Sequence, residues 1–237
     1  MPIHARTLTD KVALICGAGR PLGRSAALAL AQAGASIAAH DLALAGVETT
    51  LAQLESLGCP ARMYISDCGK GLPTRALVED VLSDFGQVDI LVHAIHAQPA
   101  GTLQDLDEWD WQHTLELNLN SAFLLMQAVL PAMQEQGGGV ILNLLSGLQD
   151  SSSLPLAASQ HGLAAFTQTA AAQLMPYNIY CYAVDAECEN SAVDAETALQ
   201  DLLVSLCSPQ ARPYSGKTLR PGDLPQPIAG RKNALIS

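Results

Sequence analysis

The sequence predicts an α/β fold with a single doubly wound parallel sheet of about seven strands and helices on both faces. Short apolar runs alternate with longer segments of helical spacing along nearly all of the 237 residues, which is typical of a parallel sheet covered on both sides. A glycine-rich turn joins the first predicted strand to the first predicted helix. We therefore expect one domain over residues 1–237, in which residues 224–237 form a C-terminal tail.

The predicted elements alternate regularly along the chain. Strands are predicted at residues 11–15, 35–39, 61–65, 88–93, 140–144, 179–184 and 216–219. Helices are predicted from Pro21 onward and over residues 42–57, 74–85, 107–133 and 156–175. The two long helices are apolar on nearly every side, so we expect one of their surfaces to pack against another subunit.

Composition and charge exclude several classes of protein. The formal net charge is −11 and no cluster of Lys or Arg occurs, so we expect no nucleic-acid partner and no membrane-surface partner. The most apolar run, residues 25–39, is interrupted by Gln32 and Gly34 and is too short to span a bilayer. The six cysteines are scattered, without a CxxC spacing or a secretory leader. We therefore expect reduced thiols and a cytoplasmic protein.

The turn after the first strand has the features of a dinucleotide site. Gly17, Gly19 and Gly23 lie between strand and helix, where backbone N–H groups can approach a pyrophosphate at the positive end of the helix dipole. Asp41 follows the second strand, at the distance expected of a carboxylate that binds the adenosine ribose. Asp41 could equally be the N-cap of the next helix. If a cofactor binds, an acid here favours NAD(H) over NADP(H), because it repels a 2′-phosphate.

Several segments in order resemble the short-chain dehydrogenase/reductase family along nearly the whole chain. They are CGAGRPLG at the turn, Asp41 and Asp67 after the second and third strands, EWDWQHTLELNLNSAF, GGGVILNLLSG, HGLAAFTQTAAAQL and SPQARPYSGKTL. The resemblance implies a Rossmann-like sheet, NAD(P)-dependent hydride transfer at a carbonyl or alcohol carbon, and assembly that is commonly tetrameric. It also implies cofactor contacts from Gly17, Gly19, Arg20, Leu22, Gly23, Asp41, Asp67 and Cys68.

Only two of the family's four catalytic positions are retained in this sequence. The family's Asn and Ser correspond to Asn118 and Ser146, whereas its Tyr and Lys fall on Leu156 and Gln160. In the family the tyrosine passes a proton to the substrate oxygen and the lysine lowers the tyrosine pKa. A positioned acid or base typically supplies roughly 10²–10⁴-fold in rate, and neither leucine nor glutamine can replace these groups. The family mechanism therefore predicts an inactive chain.

A shift of the alignment does not restore the missing pair. No tyrosine occurs between positions 64 and 177, and no lysine occurs between positions 70 and 217. His161 is the nearby titratable residue, but on a helix it points about 100° away from the face of residues 156 and 160. We therefore interpret His161 as a polar interface residue rather than as a substitute for the tyrosine.

Other departures from the family pattern weaken the predicted cofactor site. Pro21 stands at the central glycine position of the turn and removes one N–H group, although proline is acceptable at the first position of a helix. His93 and His96 lie in the segment that replaces the family's Asn-Asn-Ala-Gly, and Glu187 stands near the expected path of the nicotinamide. The HxxH spacing could bring two imidazoles together, but a catalytic zinc needs three protein ligands. No third ligand is evident, so we predict no metal.

Three functions stay open from the sequence. The leading hypothesis is a catalytically inactive subunit that assembles with itself or with a catalytic relative through the helices around residues 112–133 and 156–175. Asn118 and Ser146 would then persist for structural reasons. The second is an NAD(H)-dependent oxidoreductase that acts on a carbonyl or alcohol with a non-standard proton relay, and the third is an NAD(H)-sensing binding module. Any NAD(H) binding is expected to be weakened, and NADP(H) is not expected to bind.

Overall fold

The sheet of the computed structural model confirms the predicted fold class. The structure describes residues 7–146, 148, 153–186 and 192–224, with the side chains of 192–194 left out. Seven strands lie in these residues: β1 Val12–Cys16, β2 Ser36–Asp41, β3 Ala61–Ile65, β4 Ile90–His93, β5 Gly139–Leu145, β6 Ile179–Asp185 and β7 Thr218–Leu219. They form one sheet in the order β3-β2-β1-β4-β5-β6-β7, and each neighbouring pair is parallel.

Helices cover both faces of this sheet. They are α1 Pro21–Gln32, α2 Leu44–Ser56, α3 Gly71–Phe85, α4 Glu108–Leu115, α5 Ser121–Glu135, α6 Leu154–Leu174 and α7 Ala192–Leu206. Helices α1, α2 and α7 share one apolar core with the alternate strand residues Ala13 and Ile15. Helices α3, α5 and α6 share a second core with Leu14 and Cys16. This alternation follows from the two-residue period of a strand.

Two regions differ from the sequence-based expectation. The helix predicted over residues 107–133 is divided by a π-helical turn, Glu116–Asn120, which separates α4 from α5. Such a turn inserts an extra residue into the helix and often marks a functional position. No helix or strand is predicted between residues 184 and 216, whereas α7 lies there and packs against α1. The first turns of α7 are acidic in sequence, and its buried leucines are concentrated in its last turns.

Some expectations lie partly or wholly outside the described residues. The C-terminal tail is described only at Leu224, and Glu187 is not among the described residues. Five of the six cysteines are described, and each is a free thiol. Among the described helices, none is long and apolar enough to cross a membrane.

The glycines of the β1–α1 turn are required by packing within the protein itself. Gly17 has φ +93°, and a Cβ atom there would lie 2.6 Å from the carbonyl oxygen of Ala94. A Cβ atom on Gly23 would lie 2.2 Å from the carbonyl oxygen of Gly17. Backbone atoms in a packed turn cannot yield as a flexible side chain can. These two glycines are therefore explained by the fold, whether or not a phosphate binds beside them.

We expect Gly23→Ala to lower the free energy of unfolding by about 3 kcal/mol or more, because overpacking against backbone is costly. Urea unfolding followed by circular dichroism measures the change. Gly71→Ala is the matched control, since it makes the same substitution in the first turn of another helix. The nearest atoms there are 3.7 Å from the added Cβ atom, so its stability should stay within about 1 kcal/mol of wild type. Equal stabilities of the two variants would show that the β1–α1 turn can widen.

Candidate functional site

The candidate site lies at the carboxyl ends of β1, β4 and β5, at the edge of the sheet where doubly wound folds bind ligands. The strand order reverses between β1 and β4, so the connections leave a cleft at this edge. Cys16 of β1 is in register with His93 of β4, and His93 is in register with Asn143 of β5. The residues that follow these strand ends therefore form the walls of the cleft.

The turn between β1 and α1 offers few free N–H donors. Pro21 is the first residue of α1, as predicted, and Arg24 N–H donates to the carbonyl of Arg20 at 2.8 Å. Only the first-turn N–H groups of Leu22 and Gly23 therefore remain for an anion. The N–H groups of Gly17 and Ala18 both donate to the carbonyl of His40 at 2.9 Å. The turn can still receive an anion, but with fewer donors than the family pattern provides.

The carboxylate of Asp41 already has protein partners. Its Oδ2 accepts from Gly19 N–H at 2.9 Å, and its Oδ1 accepts from Leu42 N–H at 2.7 Å. Asp41 is 9% exposed. The N-cap residue of α2 is Ala43, so the interpretation of Asp41 as a helix N-cap is wrong. A ribose hydroxyl would have to share Oδ2 with the backbone of the turn.

The two residues after β3 that are predicted to contact the cofactor have different environments. Asp67 Oδ1 accepts from Gly69 N–H at 2.9 Å and is half-buried. Cys68 is buried, and its Sγ lies 3.5 Å from Nε2 of His40. A hydrogen bond from Cys16, together with His40, lowers the pKa of Cys68. Burial opposes the charge on His40, but the hydrogen bond with Cys68 raises the pKa of His40 above its ordinary value. The side chain of Cys68 is therefore directed toward His40 and Cys16.

Asn118 is a structural clamp in the π-helical turn. It is fully buried, and its Oδ1 accepts from Ala97 N–H at 2.6 Å. Its Nδ2 donates to the carbonyl of Ala97 and to Oγ of Ser159, each at 3.0 Å. These contacts engage both amide protons and tie the loop after β4 to α6. The extra residue of the π-helical turn turns this side chain inward between the two segments.

The side chain of Gln160 contacts the backbone of Ser146. Gln160 Oε1 accepts from the backbone N–H of Ser146 at 2.9 Å. Gln160 and Leu156 are both buried. Within the described part of the chain, Nε2 of Gln160 is buried without a hydrogen-bond partner. The carboxamide thus holds the end of β5, and the leucine provides no exchangeable proton.

The three histidines near the cleft differ in burial and in hydrogen bonding. His93 is buried with Nε2 2.7 Å from Ser121 Oγ, and burial lowers its pKa to about 4. His96 is half-buried, and burial and the nearby Arg20 charge lower its pKa. His161 is exposed with Nδ1 2.9 Å from the Ala157 carbonyl, as the helical spacing predicts. Among the described residues, His93 and His96 belong to no group of three candidate metal ligands.

Two residues near the candidate site, Ser159 and His40, were not identified from the sequence. Ser159 accepts a hydrogen bond from Asn118 and donates to the carbonyl of Leu156 at 2.9 Å. Its position on the same face as Leu156, one helical turn on, could have indicated it. His40 faces Cys16 and Cys68, although the three residues are far apart in sequence. Only their shared position near the ends of neighbouring strands could have suggested that they meet.

Comparisons with known proteins agree with this architecture. The chain matches the short chain dehydrogenase family model over residues 11–200. A D-threitol dehydrogenase of Mycolicibacterium smegmatis is 38% identical over 139 residues, which are 59% of this chain and 54% of that protein. The match thus spans about half the length of that relative.

Two further relatives match more of their length. A 3-oxoacyl-acyl-carrier-protein reductase of Staphylococcus epidermidis is 31% identical over 183 residues, which are 74% of this chain and 73% of that protein. The crystal structure of an NAD⁺-bound xylitol dehydrogenase superposes with a TM-score of 0.82 at 25% identity. That superposition covers 90% of this chain and 98% of the other.

The buried His93 should make stability depend on pH. Its pKa is about 4 in the folded chain and about 6.5 in an unfolded one. Between these values the unfolded chain binds more protons, so stability falls as the pH is lowered from 7 to 5. We expect His93→Asn to reduce this fall by about 2 kcal/mol, because the amide can still bond to Ser121 but does not titrate. Urea unfolding at both pH values measures the difference.

His161→Asn is the control for this measurement. His161 is exposed on α6, and its replacement should leave the fall in stability between pH 7 and pH 5 unchanged. A His93→Asn variant with the same pH dependence as wild type would mean that His93 titrates alike in the folded and unfolded chains.

Proposed function

The chain belongs to the short-chain dehydrogenase family, and we propose that it is a catalytically inactive member that assembles in the cytoplasm with itself or with a catalytic relative. One observation carries the proposal: Leu156 and Gln160, at the tyrosine and lysine positions, are buried in the fold. The free thiols of the described cysteines suit a reducing compartment.

The polar groups that remain at the site support a structural role. The side-chain amide of Asn118 is hydrogen-bonded to Ala97 and Ser159. The amide oxygen of Gln160 accepts a hydrogen bond from the backbone N–H of Ser146. Reduction of a carbonyl requires a proton for the oxygen as hydride arrives at the carbon. Without a positioned donor, the expected loss is roughly 10²–10⁴-fold.

The adenosine side of the cleft supports weakened binding of NAD(H). Pro21 leaves the phosphate fewer N–H donors, and the carboxylate of Asp41 is shared with Gly19 and Leu42. The negative charge of Asp41 also disfavours the 2′-phosphate of NADP(H). The NAD⁺-bound xylitol dehydrogenase supports NAD(H) as the cofactor to test.

The outer surface of α4, α5 and α6 supports assembly. Trp109 is 65% exposed and Phe123 is 43% exposed, although large apolar side chains are costly to leave in water. An open groove of about 710 Å³ runs between these helices, lined in part by Lys70, Trp109, His113, Glu116, Phe123 and Phe166. Ala158 and Ala165 are exposed on α6, and such small side chains let a second helix approach closely.

An NAD(H)-dependent oxidoreductase is the second candidate. It is favoured by the names of the relatives, which are dehydrogenases and a reductase. Ser146 and the half-buried His96 are the residues that could carry a proton in such a relay. The substrate class would be a carbonyl or alcohol, as in the family.

A rate assay distinguishes these candidates. We expect the wild-type chain to oxidise NADH with a panel of ketones and aldehydes no faster than a protein-free blank, because no donor is placed for the substrate oxygen. The D-threitol dehydrogenase of M. smegmatis, assayed with its own substrate, is the positive control. Turnover by the wild type that disappears in Ser146→Ala would contradict the proposal and establish the oxidoreductase.

Calorimetric titration tests cofactor binding and should give a dissociation constant for NAD⁺ on the order of millimolar. Micromolar binding without turnover would establish a binding module.

A second assay tests assembly. Light scattering after size exclusion should give a mass of two or more 24.8 kDa chains for the chain expressed alone, or a mass above that of either single chain after co-expression with a catalytic relative. Ala165→Arg should lower that mass, because it places a charge on the exposed face of α6. Ala52→Arg makes the same change on the exposed face of α2 and should leave the mass unchanged. A monomer in both preparations, or equal masses for the two variants, would show that the surface of α4, α5 and α6 does not mediate assembly.

A further inference from the structure

Three side chains from separate segments meet near the carboxyl ends of β1, β2 and β3. Cys16 is the last residue of β1, and it is in register with His40 of β2. Residues in register on parallel strands present their side chains to the same face. Cys68 follows β3, and its Sγ lies beside the side chains of Cys16 and His40. All three side chains are buried, with at most 3% of any of them exposed.

We propose that Cys16, His40 and Cys68 form a binding site for a thiophilic divalent cation, with Zn²⁺ as the ion it suits best. One ligand atom from each residue lies within 4.8 Å of the other two. The Sγ of Cys68 is 3.7 Å from Nδ1 and 3.5 Å from Nε2 of His40. Around a tetrahedral zinc, with bonds of about 2.3 Å to sulfur and about 2.0 Å to nitrogen, such atoms are separated by about 3.5 Å.

The surroundings of His40 support ligation through Nδ1. Its Nε2 lies 3.0 Å from the carbonyl oxygen of Ser66 and 3.0 Å from Oγ of the same residue. A proton on Nε2 donates to this carbonyl and leaves the lone pair of Nδ1 for an ion. Metal-bound histidines commonly donate their second N–H in this way, which fixes the tautomer and the ring orientation. Thr74 Oγ1 also donates to the carbonyl of Cys68 at 3.1 Å, which holds the third segment in place.

Charge and ligand type select the ion. Two thiolates and a neutral imidazole carry a charge of −2, which one divalent cation cancels. A monovalent copper ion would leave a net negative charge in a buried site, and uncompensated buried charge is costly. Magnesium and calcium prefer oxygen ligands, whereas zinc accepts sulfur and nitrogen. Three protein ligands leave one coordination position for a water molecule.

A bound ion would join the three segments that shape the adenosine side of the cleft. Gly17 follows Cys16, Asp41 follows His40, and Asp67 precedes Cys68 in sequence. Bonds from one ion to all three segments would reduce their freedom to move apart. The inference does not depend on the proposed function, because these residues would bind the ion in an active or an inactive chain.

Metal content and spectroscopy test the site. Wild-type chain, reduced with a phosphine and dialysed first against chelator and then against Zn²⁺, should retain one zinc per chain by atomic emission. Co²⁺ should give the intense near-ultraviolet absorption of thiolate-to-cobalt charge transfer. Cys68→Ser and Cys16→Ser should each lower the bound metal at least tenfold. Zn²⁺ should also raise the thermal midpoint of the wild type but not of these variants, because only a chain with the site gains from binding.

Cys59→Ser is the matched control, since it makes the same change at a half-buried cysteine outside the cluster. It should bind zinc as the wild type does. Circular dichroism of each variant shows whether it is folded, and the cobalt spectrum of the wild type is informative even if a variant unfolds. Absence of charge-transfer absorption, or equal metal content in the wild type and a folded Cys68→Ser variant, would overturn the proposal. A disulfide between Cys16 and Cys68 in the untreated chain, with no metal uptake after reduction, would also overturn it.

Discussion

The tight turn between β1 and α1 constrains the whole carboxyl edge of the sheet. Gly23 packs so closely on the carbonyl of Gly17 that a single methyl group would lie 2.2 Å from that oxygen. The same turn donates two N–H groups to the carbonyl of His40, which fixes the end of β2 relative to β1. The positions of Asp41, of the cluster at Cys16 and of the loop after β4 all follow from this packing. The turn would keep its shape without a cofactor, because its hydrogen bonds and contacts lie within the chain.

Burial of polar groups explains much of the remaining site. A buried amide or backbone group without a partner typically costs about 1–3 kcal/mol, so pairing within the chain is favoured. Asn118 pairs with both backbone groups of Ala97, and Gln160 pairs with Ser146. These two amides join segments of the chain around the cleft. Under the proposed alignment with the family, Leu156 stands at the tyrosine position and provides no proton.

The sequence was sufficient for the fold but not for all of the site. The alternation of strands and helices, the acids that begin α4 and the proline that begins α1 are local patterns, and the structure has all three. The π-helical turn at Asn118 was not predictable, because it depends on contacts with Ala97 and Ser159 that are distant in sequence. The cluster of Cys16, His40 and Cys68 was missed for the same reason. Its members are 24 and 28 residues apart, and only the strand order brings them together.

The residues that this chain shares with the family pattern differ in kind from those it lacks. The amide of Asn118 joins the loop after β4 to α6. Ser146 is bonded to Gln160 through its backbone N–H, a contact that does not require a serine. On the proposed alignment with the family, a tyrosine and a lysine would serve proton transfer at positions 156 and 160, where leucine and glutamine are buried here. A chain freed from catalysis would be expected to lose that pair and keep Asn118, because the Asn118 side chain joins two segments of the fold. The presence of Asn118 therefore argues for the fold and carries little weight as an argument for the reaction.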